Sequence, residues 1–184
     1  PKMSKYKDTI YALSTPTGKS AIAVIRISGD KSLDILKKIS SIKKIIPNKI
    51  KLTFLKFEKQ IIDQILVVYF KKPHSFTGEE MVEINCHGSI AIITKIFKIL
   101  EVLDIRLAEP GEFTRRSFIN DKLDLLQTEG LADLINSETE KQRSMAISSL
   151  SGKLSKFVNE TNDQLRTMLA NIEALIDFSD EDLP

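Results

Sequence analysis

Apolar and polar positions follow two different periods along this chain, and the change between them divides it into two parts. Residues 21–28 are an almost unbroken apolar run, as expected of a strand that is covered on both faces. Residues 81–87 alternate instead, so that one face of a strand is apolar and the other carries Glu83, Asn85 and His87. Further strands are predicted at 8–13, 52–57, 61–70 and 106–108.

Two helices are predicted among these strands. The first follows Gly29, with Asp30 or Ser32 as its N-cap, and the second follows the cap residue Ser89. Their apolar residues recur at helical spacing: Leu33, Leu36 and Ile39 in the first helix, and Ile92, Ile93, Ile96, Phe97 and Leu100 in the second. The first 110 residues therefore predict an α+β (or α/β) unit in which helices cover a mixed sheet.

Beyond Asp121 the spacing is helical throughout. One helix is predicted at 123–135 with Asp121 as its N-cap, and residues 138–178 predict one long helix, or two that separate at Gly152. The apolar row of the long helix must be buried, and the chain offers only one other helix of similar character, so we expect partner helices from outside it. We predict an α+β domain at 1–120 and the first part of an all-α domain at 121–184.

Charge follows the same division. Residues 1–120 hold 21 Lys and Arg against 12 Asp and Glu, whereas residues 121–184 hold 6 against 13. The net charge of +2 is too small to indicate nucleic-acid binding by itself, although the basic front part could attract phosphates or carboxylates. The single cysteine, Cys86, excludes an internal disulfide framework, and neither a membrane span nor a secretory signal is predicted. We predict a cytoplasmic protein.

Two motifs that would carry chemistry are rejected. The triplet Gly18-Lys19-Ser20 ends like a phosphate-binding P-loop, but it lacks the first glycine of that motif and a strand follows it instead of a helix. The His, Cys and Glu residues between positions 74 and 87 show no metal-ligand spacing, and Cys86 points away from its polar neighbours on the strand. We predict no metal site and no catalytic residue in this chain.

Three charged residues are difficult to explain as scaffold. Arg26, the only charge in its strand, needs a carboxylate, carbonyls or an anionic ligand, and a structural ion pair is the alternative. Glu83 can accept two parallel hydrogen bonds from a planar N–C–N edge, although a solvated face is the simpler interpretation. Lys122 precedes a predicted helix start, where the helix dipole disfavours a cation, which indicates another use of its charge, such as binding a ligand carboxylate.

Several blocks of the sequence resemble the MnmE (TrmE) family of tRNA modification GTPases. The resemblance covers essentially the whole chain in unbroken order. Its blocks are residues 8–10, Thr15-Pro16 with Gly18, and residues 24–29, 75–79, 82–84, 87–88, 110–114, 118–125 and 176–178 with the acidic tail that follows.

This resemblance implies a folate-binding domain similar in fold to the tetrahydrofolate domain of the glycine-cleavage T-protein. A helical domain follows it, interrupted by an inserted GTPase domain. The cofactor it implies is 5-formyltetrahydrofolate or a related tetrahydrofolate, and the partners are tRNA, MnmG and a second copy bound through the N-terminal domain. The family uses a folate one-carbon unit to place an aminomethyl-type group on C5 of the wobble uridine, and GTP hydrolysis drives the conformational cycle.

Matched residue by residue, the resemblance implies that Arg26, Glu83 and Lys122 bind the folate. Glu83 would bind the aminopyrimidinone edge of the pterin, and Arg26 and Lys122 would supply positive charge to the formyl region or the glutamate tail. The chain contains neither the GxxxxGK[ST] motif of the GTPase domain nor the family's Cys-x-Gly-Lys. GTP, Mg²⁺ and K⁺ are therefore expected only on the GTPase domain, and this chain alone is not expected to hydrolyse GTP.

Two alternatives stay open at this point. One is a stand-alone folate-dependent one-carbon transferase of the T-protein type. The other is a non-enzymatic dimerisation module that binds no folate.

Overall fold

The computed structural model describes residues 8–177, which form two compact units. The first unit ends at Lys122 and the second begins at Leu123. The expected acidic tail and Phe178 lie outside the described residues.

The first unit is built on a mixed sheet of six strands in the order β3-β4-β5-β2-β1-β6. Neighbouring strands are antiparallel except for β1 and β6, which run parallel. Three helices belong to the same unit. The strands are β1 (Ile10–Leu13), β2 (Ser20–Ser28), β3 (Lys51–Phe57), β4 (Gln60–Phe70), β5 (Met81–Gly88) and β6 (Arg106–Leu107), and the helices are α1 (Ser32–Ile39), α2 (Ile90–Val102) and α3 (Glu112–Ile119).

The predicted α+β class is confirmed, and its physical basis is the alternation of side chains along the strands. In β5, Val82, Ile84 and Cys86 are buried, while Glu83 and Asn85 lie half-buried on the opposite face. The buried faces of β2, β4 and β5 form one continuous apolar core with α1 and α2. The opposite face of these strands carries polar side chains such as Glu83 and Asn85 next to exposed apolar ones such as Leu66, and we call it the outer face.

Helix ends are where the predictions were wrong. The N-cap of α1 is Lys31, not Asp30 or Ser32, and its side chain makes no capping hydrogen bond. The buried hydroxyl of Ser32 donates to the carbonyl of Gly29 at 2.6 Å. Ser89 is the N-cap of α2 as predicted, but its side chain makes no capping hydrogen bond. Helix α3 was not predicted, because its apolar content is low and its buried residues are Glu112, Arg116 and Ser117.

The second unit contains only helices: α4 (Leu125–Ile135), α5 (Glu140–Leu150) and α6 (Lys153–Asp177). The predicted break at Gly152 is confirmed, since this residue has a left-handed φ of 76° between α5 and α6. The cap of α4 is Asp124 rather than Asp121, because Asp124 and Gln127 form a reciprocal capping box. Asp121 has a φ of 56° and belongs to the preceding turn.

None of the helices between residues 8 and 177 combines the length and apolar character that crossing a bilayer requires.

Candidate functional site

The outer face of the sheet, the one away from α1 and α2, carries a charged pair at its centre. Arg26 on β2 and Glu83 on β5 are directly opposite each other in the strand register. The guanidinium Nε donates to Glu83 Oε1 at 2.7 Å. Of the described residues, none hydrogen-bonds the second carboxylate oxygen of Glu83 or the two terminal nitrogens of Arg26. The pair thus retains both donors and acceptors for a further group.

Arg26 is half-buried, not fully buried as a strand covered on both faces would require. Its side chain is 34% exposed and that of Glu83 is 19% exposed. The expectation that Arg26 would need a carboxylate is met by Glu83, which is also what a purely structural ion pair would show. The distinction between a structural pair and a binding pair therefore depends on what surrounds it.

A loop between β4 and β5 borders this pair. The ring of Phe76 lies beneath the guanidinium of Arg26, with 5.7 Å between Cζ and the ring centroid. Two residues further on, Gly78 has a φ of 75°, and a Cβ built there would lie 3.1 Å from Lys122 Cγ. The aliphatic stem of Lys122 therefore passes close beside this loop. Arg26 and Lys122 each lie against the same loop, at Phe76 and at Gly78 respectively.

Lys122 comes after α3 and not at the start of a helix. Its backbone N–H donates to Ser117 O at 2.9 Å, and helix α4 begins only at Leu125. The dipole argument used for Lys122 in the sequence therefore does not apply. Its ammonium group has no partner among the described residues, so the charge is available for a ligand.

Helix α3 holds this loop in place from behind. Ser117 Oγ donates to Phe76 O at 2.7 Å, and Asn120 Nδ2 donates to Thr77 O at 2.7 Å. The hydroxyls of Thr77 and Ser28 are 2.6 Å apart, which ties the loop to the end of β2. These bonds satisfy buried polar groups that would otherwise be costly, and they limit the positions open to the loop.

A buried ion-pair cluster anchors the same region, and the sequence did not reveal it. Arg116 on α3 is fully buried and donates to Glu112 Oε1 at 2.9 Å, to Asp8 Oδ1 at 2.8 Å and to Glu79 Oε2 at 3.2 Å. Glu79 in turn accepts from Ser28 Oγ at 2.7 Å. The spacing of four residues between Glu112 and Arg116 was the one available signal, and it is meaningful only on a helix.

The pKa values of this cluster are shifted by opposing effects. Burial raises the pKa of Glu112, but hydrogen bonds from Arg106, the Glu109 backbone and Arg116 outweigh it, and the net pKa falls to about 2. Burial likewise lowers the pKa of Arg116, while Glu112, Glu79 and Asp8 raise it above its ordinary value. Glu112 and Arg116 are therefore both charged near neutral pH, and removing either one would leave the buried charge of the other without its partner.

Two further features lie away from the charged pair. A groove of about 560 Å³ runs past Asp8, Lys31, Glu101 and Arg106, near the edge of the sheet that β1 and β6 form. Over residues 8–177, no three His, Cys, Asp or Glu side chains are grouped as metal ligands would be.

Sequence comparisons place the chain in a family. Residues 9–122 match the model of the GTP-binding protein TrmE N-terminus, and residues 125–184 match that of the MnmE helical domain. The class defined by fold and site is thus an α+β domain of TrmE type followed by helices. The chain belongs to the MnmE (TrmE) family.

Several curated relatives share a name. Proteins called tRNA modification GTPase MnmE are 48% identical over 180 residues in Rickettsia akari, 45% over 185 residues in Fervidobacterium nodosum and 41% over 181 residues in Sulfurovum sp.. These matches cover 96%, 97% and 98% of this chain, but only 40% of each relative. The chain spans about two fifths of the length of the curated relatives it matches.

Proposed function

We propose that this chain is the front part of a tRNA modification GTPase and that its first unit binds a tetrahydrofolate one-carbon donor. The observation that carries the folate proposal is the Arg26–Glu83 pair with its unused hydrogen-bonding capacity, next to the loop that Lys122 also borders. The family membership supports the wider assignment to tRNA modification.

The chemistry of the three side chains fits a reduced pterin with a glutamate tail. Each carboxylate oxygen has two acceptor positions, so Glu83 Oε1 can keep its bond from Arg26 while the carboxylate binds the planar N–C–N edge of the ring. The terminal nitrogens of Arg26 and the ammonium of Lys122 would then neutralise carboxylate or formyl oxygens. 5-Formyltetrahydrofolate is the derivative we propose to use as the probe.

The wider proposal concerns the whole protein. GTP hydrolysis with Mg²⁺ and K⁺ would take place on a GTPase domain outside this segment. The complete protein would work with MnmG in the cytoplasm and modify C5 of the wobble uridine of tRNA. Reading the gene beyond Pro184 tests this directly: a P-loop motif downstream supports it, and an open reading frame without one favours a stand-alone transferase.

The proposed homodimer would form through the first unit. Several large apolar side chains of its sheet remain exposed on the face away from α1 and α2, among them Leu52, Phe54 and Leu66. A second copy would remove this surface from water. Light scattering of the chain and of Leu66→Glu tests the interface, with a monomeric wild-type chain as the contrary result.

The folate proposal is tested by calorimetric titration of the chain with 5-formyltetrahydrofolate. We expect Glu83→Ala to weaken binding at least tenfold, because bonds to a charged group contribute about 1.5–3 kcal/mol. Arg26→Lys keeps the charge but loses the planar fork, and should weaken binding by a smaller factor. Glu140→Ala, which removes an exposed carboxylate paired with Arg143 in the second unit, is the matched control.

Two results would contradict the folate proposal. Unchanged affinity in Glu83→Ala would exclude Glu83 from the site. No folate binding by the wild-type chain, combined with a stable dimer, would favour the non-enzymatic dimerisation module.

A further inference from the structure

The excess positive charge of the first unit is concentrated in one segment. Residues 31–60 contain nine lysines and two acidic residues, Asp34 and Glu58. The rest of this unit within the described residues, 8–30 and 61–122, contains ten basic and eleven acidic residues. The net positive charge of the described part of the unit therefore comes entirely from one stretch of thirty residues.

This stretch is continuous in space as well as in sequence. It comprises α1, the connection 40–50 and β3, and β3 is the last strand at its edge of the sheet. Ser40 at the end of α1 forms an isolated bridge with Leu55 of β3. Lys51 Nζ donates to Lys44 O at 3.1 Å, which joins the connection to the start of the strand. The lysines of the connection and of β3 thus lie together at this edge of the sheet, whereas Lys31, at the start of α1, lines the groove beside Asp8 and Arg106.

Nearly all of these lysines face solvent, and few are neutralised. Eight of the nine are exposed, and Lys56 is half-buried with its ammonium 5.9 Å from the centre of the Phe54 ring. Among residues 8–177, the only carboxylate in contact with any of the nine is Asp34, which is 3.7 Å from Lys37. We call the exposed lysines that follow Lys31 in this segment the lysine surface: Lys37, Lys38, Lys43, Lys44, Lys49, Lys51 and Lys59.

Protection of an edge strand does not account for this pattern. Lysines on an edge strand discourage pairing with other strands. Only Lys51 and Lys56 lie on β3, however, whereas Lys37 and Lys38 lie on α1 and others lie in the connection. A group of like charges without counter-charges raises the free energy of the folded unit, and an external polyanion would lower it.

We propose that the lysine surface binds the phosphate backbone of the RNA substrate, which rests on the proposed function in tRNA modification. Several exposed ammonium groups on one surface suit the repeated charges of a phosphate backbone. A single small anion would instead be bound by buried donors that are held in fixed orientations. Contacts of this kind position a nucleic acid without reading its sequence, and they release counterions from it. The surface would orient the tRNA while base recognition takes place elsewhere.

The test replaces four lysines that have no acidic partner: Lys38, Lys43, Lys44 and Lys49 are changed together to glutamine. All four are exposed, so the fold should change little, which circular dichroism checks. The matched control changes four exposed lysines from outside the surface to glutamine. These are Lys19, Lys98, Lys141 and Lys153.

Binding of unmodified tRNA to the wild-type chain and to both variants is measured by fluorescence anisotropy between 50 and 300 mM KCl. If the four lysines contact phosphates, the slope of log K for binding against log [KCl] should become less steep by roughly 0.7–0.9 for each contact that is lost. We expect the surface variant to bind at least tenfold more weakly at 50 mM KCl with a flatter salt dependence, and the control variant to stay within threefold of wild type. A variant with arginine at the same four positions should retain binding.

Three results would overturn the proposal. The first is a surface variant with wild-type affinity and salt slope, and the second is no tRNA binding by the wild-type chain at 50 mM KCl. The third concerns vesicles of phosphatidylglycerol and phosphatidylcholine. If the wild-type chain binds them, and the surface variant does not but still binds tRNA like wild type, the lysine surface would contact membranes instead of RNA. Folate titration of the same preparations separates this inference from the proposed function, because the surface variant should keep the wild-type folate affinity.

Discussion

The two units of this chain treat their apolar residues in opposite ways. In the first unit, Ile25, Ile84 and Ile96 are completely buried in one core that the sheet and its helices enclose together. In the described part of the second unit, Gly130 and Ala146 are the buried residues, and α6 buries none over its 25 residues. A sheet with helices on one face encloses a core from a short chain, whereas a long amphipathic helix needs further helices to cover its stripe.

This difference indicates where the stability of the chain lies. The first unit has its own core and a buried ion-pair cluster around Arg116. The described helices of the second unit leave apolar side chains such as Phe157 and Leu165 exposed. We therefore expect the first unit to be stable by itself and the second to depend on contacts that its described helices do not supply.

The largest contrast should come from one matched pair of core truncations. Ile84→Ala, at a fully buried site in the first unit, should lower the free energy of unfolding by about 2–5 kcal/mol. Leu165→Ala, at a site 59% exposed on α6, should change it by about 0.5 kcal/mol or less. Native-state hydrogen exchange of the amides of β5 and α6 gives the two values separately. Equal costs at the two sites would mean that the stripe of α6 is covered in solution.

Acid should weaken the first unit through Glu112. The pKa of the Glu112 carboxyl is about 2 in the folded chain and near its ordinary value of 4.5 in the unfolded chain, so the unfolded chain binds the proton more readily. Its contribution, on the order of 2 kcal/mol, is present above pH 4.5 and is lost as the pH falls towards 2. Urea unfolding between pH 6 and 3 measures this, and Glu112→Gln should be less stable at pH 6 but less sensitive to acid.

The exposed pair Glu140–Arg143 in the second unit supplies the comparison for this pH dependence. Its side chains are largely in water, so Glu140→Gln should leave the acid profile of the first unit unchanged. An acid profile that is equally steep in wild type and Glu112→Gln would show that other carboxylates control it.

The smallest effect concerns a tight contact between α4 and α5 in the second unit. Alanine in place of glycine usually stabilises a helix by about 1 kcal/mol. At Gly130, however, a Cβ would lie 2.8 Å from the backbone nitrogen of Leu150 and 2.9 Å from Ser149 Cβ. We expect Gly130→Ala to destabilise this helix pair by about 1 kcal/mol, measured by hydrogen exchange in α4. Stabilisation instead would show that the two helices can separate without cost.

Patterns that repeat over a few residues predicted the elements of this fold well. The alternation of Met81–Gly88 and the break at Gly152 appear in the structure as predicted. The apolar run of residues 21–28 is a strand as predicted, but it is not covered on both faces, since Ile22 is 61% exposed. The exceptions were polar elements. Helix α3 has few apolar residues to reveal its period, and Asp124 rather than Asp121 caps α4, because capping depends on backbone geometry at one position.

For the candidate site, the sequence identified which charges were unusual but not what they contact. Arg26 and Glu83 are 57 positions apart, and only the register of β2 against β5 places them opposite each other. The support behind them, from Asn120 to Thr77 and from Arg116 to Asp8, has no local signature at all, because it joins residues 43 and 108 positions apart.

By itself, the sequence determined the strands and the helices other than α3, since these depend on periodicity over neighbouring residues. The tertiary structure alone decided that Arg116 is buried among carboxylates and that Arg26 and Lys122 border the same loop. The physical reason is that burial and pairing of charges depend on which distant segments pack together, and the free energy of that packing is not a property of any single stretch of chain.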